Sequence, residues 1–149
     1  MLVNDLMKST IYTCGPDDTA VRCAQLMRDH EVGIVPVIDP AGRLLGVVTD
    51  RDIAMRVVAQ ERPFRTQASQ FMTSDVVTCR RDDPLPVAEA RMAREGKSRL
   101  PVVDEAGYCV GIVSLSDVSR EEDPERTAHL LNSVKTPRPK HAATPRRRA

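Results

Sequence analysis

Apolar residues along this chain fall in short runs between turn formers, and the runs recur. Ile11-Tyr12-Thr13-Cys14 predicts a short strand, closed by the turn former Gly15-Pro16-Asp17. Asp18 or Thr19 then caps a helix reaching about Glu31, whose Ala20, Cys23, Ala24 and Met27 repeat at helical spacing. Ile34 to Ile38 predicts a strand, with Pro36 where no ladder N–H is needed. Asp39-Pro40-Ala41-Gly42 predicts a hairpin turn. Leu44 to Val48 is apolar throughout, which predicts a strand buried on both faces. A helix from about Asp50 to Glu61 turns Ile53, Val57 and Val58 inward. The unit reads strand–helix–strand–strand–helix.

Residues 62–70 are polar and contain Pro63, so they read as a linker. The pattern then restarts. Val76 to Cys79 predicts a strand, Pro84 to about Glu95 a helix, and Leu100 to Val103 with Cys109 to Val113 a hairpin. Ser114 opens a brief helix. Glu125 to about Val134 predicts a further helix carrying Ala128, Leu130, Leu131 and Val134. Beyond it, Pro137, Pro139 and Pro145 oppose regular structure.

The recurrence keeps a single register. A shift of 65 residues carries Gly46 to Gly111, Met7 to Met72, Thr13-Cys14 to Thr78-Cys79 and Met27 to Met92. It also carries Pro36-Val37 to Pro101-Val102, Gly42 to Gly107 and Asp52 to Asp117, with no gap. Chance does not hold one register over such a span, so the chain contains an internal duplication. The expected fold is α+β: two pseudo-symmetric β-α-β-β-α repeats across a pseudo-twofold axis, with an extra C-terminal helix. Repeat 1 spans 6–61, the linker 62–70, repeat 2 71–120, the extra helix 121–134, and a disordered basic tail 135–149.

Candidate chemistry lies at the most repeated point. Gly46-Val47-Val48-Thr49-Asp50-Arg51-Asp52 predicts a buried strand running straight into a helix, and Gly111 to Asp117 repeats it. A hydroxyl at the helix start suits a phosphate, and a carboxylate one turn on suits a ribose diol. Thr49 with Asp52, and Ser114 with Asp117, could therefore grip a nucleotide. The plainer reading is a helix cap and a solvated acid. For one copy that reading would win, and the second copy shifts the balance.

Composition narrows the alternatives. The chain is 41% hydrophobic and 29% charged, ordinary for a globular protein. Two Phe, two Tyr and no Trp make base stacking on aromatic rings an unexpected recognition mode. No secretory signal and no bilayer-length apolar run is evident, so a cytoplasmic protein without a membrane role is expected. Cys14, Cys23, Cys79 and Cys109 show no C-x-x-C spacing and read as buried, reduced thiols. Neither they nor His30, His129 and His141 form a metal or catalytic pattern, and no phosphate-cradling glycine loop is present. An enzyme is not expected. The tail is basic through Lys135, Arg138, Lys140, Arg146, Arg147 and Arg148, against a net charge of +1 for the whole chain. Nucleic-acid contact through it is an alternative, behind a plain solvated end.

The two copies together resemble a tandem pair of cystathionine beta-synthase (CBS) domains, the regulatory unit called a Bateman module. The resemblance covers roughly Leu6 to Val118. It rests on Val35-Pro36-Val37-Ile38-Asp39, Gly42 and Gly46-Val47-Val48-Thr49-x-x-Asp52 in the first copy. In the second it rests on Met72-Thr73, Arg99-Leu100-Pro101-Val102-Val103-Asp104, Gly107 and Gly111-Ile112-Val113-Ser114-x-x-Asp117. Small stand-alone bacterial CBS-pair proteins are the nearest type. The resemblance implies two clefts between the halves. It implies a ligand such as AMP, ADP, ATP or another adenosyl compound, with no required cofactor. It further implies that each aspartate holds the ribose and each hydroxyl approaches the phosphates. Asp52 would face Val76-Val77-Thr78 and Ser98-Arg99. Asp117 would face Ile11-Tyr12-Thr13 and Gly33-Ile34.

That assignment makes the Asp52 cleft the better phosphate site. Arg99 supplies a cation there, and its repeat counterpart is Ile34. Asp50 adds an opposing negative charge nearby. The expected role is a ligand sensor that signals to an unidentified protein partner. A structural protein with empty clefts is the alternative. A homodimer is expected because Met27, Ile53, Val57 and Met92 would form helix faces that one pair leaves uncovered.

Overall fold

A computed structural model describes residues 1–121 and 124–135. The basic tail beyond Lys135 lies outside the described residues. Helix α1 spans Val3–Leu6 and α2 spans Ala20–His30. Strands β1 (Ile34–Ile38) and β2 (Leu44–Thr49) form an antiparallel hairpin. A short turn, α3 (Asp50–Asp52), widens into a π-helical turn over Ile53–Val58. After α4 (Ala68–Phe71) come β3 (Cys79–Arg80) and α5 (Leu85–Glu95). The hairpin β4 (Arg99–Val103) with β5 (Cys109–Ser114) follows, then α6 (Leu115–Val118) and α7 (Pro124–Lys135).

The duplication is visible bond by bond. Ile34 faces Thr49 in the first hairpin, as Arg99 faces Ser114 in the second. Cys14 bridges Val37 in parallel, as Cys79 pairs with Val102. Arg43 bridges its own repeat mate, Tyr108, so the pseudo-twofold axis passes between them.

Each half takes its leading helix from the opposite side of the repeat boundary. Val3 of α1 is buried with Leu85, Met92, Leu100 and Val113 of the second half. Ala68 and Phe71 of α4 are buried with Cys23, Met27, Val35 and Val48 of the first. The chain therefore crosses between halves twice, over residues 8–13 and 73–78. Those crossings explain why the strands expected at Ile11–Cys14 and Val76–Cys79 shrink. Only Cys14 in one, and Cys79 onward in the other, reaches a hairpin with which to pair. Lys8 and Thr73 begin the crossings, paired antiparallel to Ile112 and Val47. There each chain lies so close to a strand that only glycine fits. A Cβ on Gly46 would stand 2.7 Å from Thr73 O, and one on Gly111 2.9 Å from Lys8 O.

Other expectations change. Residues 62–70 are not merely polar connector, since Thr66 is buried and Ala68 opens α4. In β2 only Gly46 to Val48 are buried, while Leu45 is exposed at the outer end. The helix after it is regular only to Asp52 and leaves the π-turn after Val58. Met27, Val57 and Met92 are already covered inside the chain, so they offer no bare helix face. Besides Leu45, the exposed large apolar residues on the first half are instead Val21, Met55, Val58 and Phe64. On the second half α7 packs Leu130, Leu131 and Val134 against the core. Arg126 fixes it there through a 2.7 Å bond to the buried Glu89 of α5.

Candidate functional site

The two hydroxyl-x-x-aspartate motifs fold alike. Thr49 ends β2, and its Oγ1 accepts from Asp52 N at 3.1 Å, while Asp52 Oδ2 accepts from Thr49 N at 2.9 Å. Ser114 and Asp117 repeat this reciprocal cap at 3.2 and 3.1 Å. The plain capping role is therefore real, and it occupies one oxygen of each carboxylate. α3 and α6 are too short for a helix dipole to supply an anion site. Binding must rest on side chains.

The second oxygen of each carboxylate meets a cation, and the cations differ. Asp52 Oδ1 lies 3.8 Å from Nε of Arg56, one turn along its own helix. Asp117 Oδ1 lies 3.6 Å from Nζ of Lys8, delivered by the N-terminal crossing. Asp117 is 8% exposed and Lys8 68%, so a nearly buried carboxylate faces a cation still free to swing. Lys8 is a residue that sequence reasoning missed. Its neighbour Met7 matched Met72 in the repeat, but nothing local told that this segment would pair with the far hairpin.

Arg99, at the start of β4, crosses the seam to the first half. A Cβ on Gly33 would lie 3.4 Å from its Nη1 and 3.2 Å from Asp50 Oδ2. The guanidinium thus sits beside Asp50 and Gly33. It also lines a cavity of about 280 Å³ with Ser98, Ser114, Ser116, Ser119 and Leu131. Ser114 Oγ and Ser116 Oγ are 2.8 Å apart. Ser98 and Arg99 are therefore gathered with Ser114, the hydroxyl of the Asp117 motif. Arg99 thus stands between Asp50 of the first half and the Ser114 hydroxyl of the second.

The remaining expected residues lie on or beside the crossings. Ile11, Thr13, Val77 and Thr78 are half-buried. Thr78 O accepts from Arg91 Nη1 at 3.0 Å, and Val77 leans on the second core. Ile34 is buried at the start of β1. Among the described residues no cluster of His, Cys, Asp or Glu could hold a metal ion, and no helix is long and apolar enough to cross a membrane.

Comparison with known proteins places this architecture. The CBS domain family model matches residues 3–59 and 68–123. The CBS domain-containing protein YhcV of Bacillus subtilis is 39% identical over 117 residues, covering 78% of this chain and 82% of YhcV. The CBS domain pair of protein MJ0100, solved with 5′-methylthioadenosine and S-adenosyl-L-methionine, superposes with a TM-score of 0.74 at 30% identity. That match covers 80% of this chain and 94% of the solved one. The CBS domain protein TA0289 of Thermoplasma acidophilum, of unknown function, gives 0.81 at 25% identity, covering 92% and 78%.

Proposed function

The chain belongs to the CBS domain family, and on that premise we propose that it is a regulatory module binding an adenosyl compound between its two halves. Asp52 and Asp117 hold the ribose diol, each through the oxygen that its cap leaves over. Thr49 and Ser114, with Ser116, offer hydroxyls to the phosphate or its replacement. The crossings at Ile11–Thr13 and Val77–Thr78, with Gly33 and Ile34, wall the clefts. The module acts in the cytoplasm as a homodimer and passes its ligand state to a protein partner. One observation carries this reading: the motif recurs in both halves with the same hydrogen bonds, in a fold whose relative was solved with two adenosyl ligands.

Charge distinguishes the two clefts. Lys8 stands at Asp117, and Arg99 lines the cavity shared by Ser114 and Ser116. The Asp117 cleft is therefore the one for an anionic adenosyl compound such as AMP. At the Asp52 cleft Arg56 is tied to the carbonyls of Phe71 and Met72, both at 3.1 Å, and Asp50 adds a negative charge beside which the Arg99 guanidinium already sits.

Equilibrium dialysis against adenosine, AMP, ATP, 5′-methylthioadenosine and S-adenosylmethionine tests the proposal. Saturable binding of at least one is expected. A second reading, an assembly protein with empty clefts, draws on the fact that both carboxylates are already satisfied by a cap and a cation. Retention of none of the five compounds would favour it.

A further inference from the structure

We infer that Cys14 and Cys23 are a covalent modification site, at which a hydroperoxide joins two buried thiols into a reversible disulfide. Their sulfurs lie 3.6 Å apart, and both residues are buried, at 4% and 0% exposure. Bond formation brings sulfurs to about 2.05 Å, so these need approach by only about 1.5 Å. Cys14 ends the first crossing and Cys23 lies on α2, so the bond would fasten the crossing to the helix. A second tie already joins the same elements: Tyr12 stacks on His30, with ring centroids 3.5 Å apart.

The second half supplies an internal control. The repeat mates are Cys79 and Ala88, so the same backbone holds a single thiol there. Burial pushes the Cys79 thiol up to about 12, and its Sγ donates weakly to Pro101 O at 4.0 Å. In the first half the hydrogen bond between the sulfurs raises Cys14 and lowers Cys23. Cys23 is accordingly the thiol that ionises first and acts as nucleophile.

The chemistry balances with a hydroperoxide as the named oxidant. The Cys23 thiolate attacks one peroxide oxygen, the O–O bond breaks, and the departing oxygen takes a proton and leaves as water or an alcohol. The Cys14 sulfur, losing its proton, then attacks the resulting sulfenic acid and expels water. Two thiols lose two electrons, and the peroxide gains them. A small thiol reductant reverses the bond.

Hydrogen peroxide on the native full chain, followed by unfolding, alkylation and tryptic mapping, tests the site. Trypsin cuts after Lys8, Arg22 and Arg28, so the two cysteines fall on separate peptides that only a disulfide can hold together. The expected product is that linked pair, lost on reduction, with Cys79 recovered as an alkylated thiol. Cys23→Ala copies the buried Ala88 of the second half, so it should fold, and it should yield no linked peptide. The inference is overturned if Cys14 and Cys23 are both recovered as free thiols after Cys109, which is half-buried, has been oxidised. It is overturned equally if either goes to the sulfinic acid without cross-linking, or if the link forms only in denaturant.

Discussion

In the first half the carboxylate of Asp52 meets Arg56 from its own helix; in the second, that of Asp117 meets Lys8 from the far end of the chain. The first half leaves Val21, Met55, Val58 and Phe64 exposed, Phe64 to 70%, while the second covers its helix with α7. The first pairs Cys14 with Cys23, while the second has Cys79 and Ala88 at the equivalent positions. These differences sit on a common scaffold whose hairpin registers agree residue for residue. Duplication has thus kept what positions the motif and changed what surrounds it. What the two halves do differently comes from the side chains set around the motif: Arg56 and Cys23 on the first half's own helical turns, Lys8 and α7 on the second.

That contrast can be broken first at the leading helices. Phe71 of α4 is almost fully buried, while its repeat mate Leu6 of α1 is only half-buried. Phe71→Ala should cost about 3–5 kcal/mol and Leu6→Ala less, about 2 kcal/mol, in urea unfolding. Equal costs would mean that α1 is anchored as firmly as α4.

The glycines test where the halves must agree. Gly46→Ala and Gly111→Ala each drive a methyl into a methionine sulfur and a backbone carbonyl of a crossing. Both should lose roughly 1–3 kcal/mol, and by similar amounts. A neutral result at either glycine would show that its crossing can move away.

A smaller effect separates the clefts. Lys8→Met should weaken AMP about two- to fivefold and leave cationic S-adenosylmethionine unchanged or tighter, because one exposed charge is lost beside Asp117. Arg56→Met should alter that ratio less. The reverse order would move the anion preference to Asp52. The smallest change is expected from deleting residues 136–149. This removes few apolar side chains, and the melting temperature should stay nearly constant in differential scanning fluorimetry.

The pattern of apolar runs revealed the hairpins, α2 and α5, because period and turn chemistry are local properties. The 65-residue register likewise located both motifs, since Gly46 and Gly111 stand where only glycine fits. What stayed hidden was the exchange of leading helices. Val3 and Phe71 look like ordinary apolar residues in short segments, and nothing local says which half will bury them. The same blindness missed Lys8, whose role depends on a partner strand more than a hundred residues away. The dimer reasoning suffered similarly. Helical spacing put Met27 and Met92 on an apolar face, but tertiary packing of the same chain already covers that face.

Calorimetric titration of wild type and Asp117→Asn with AMP and with adenosine tests the central claim most directly. Asparagine keeps an acceptor for Ser114 N, so the cap and the fold should survive, which a matching melting temperature would verify. The ribose contact loses its charge, worth about 1.5–3 kcal/mol, so both ligands should weaken by about tenfold or more. Unchanged affinity of AMP and adenosine for the folded variant would contradict the assignment of Asp117 as the ribose-binding carboxylate.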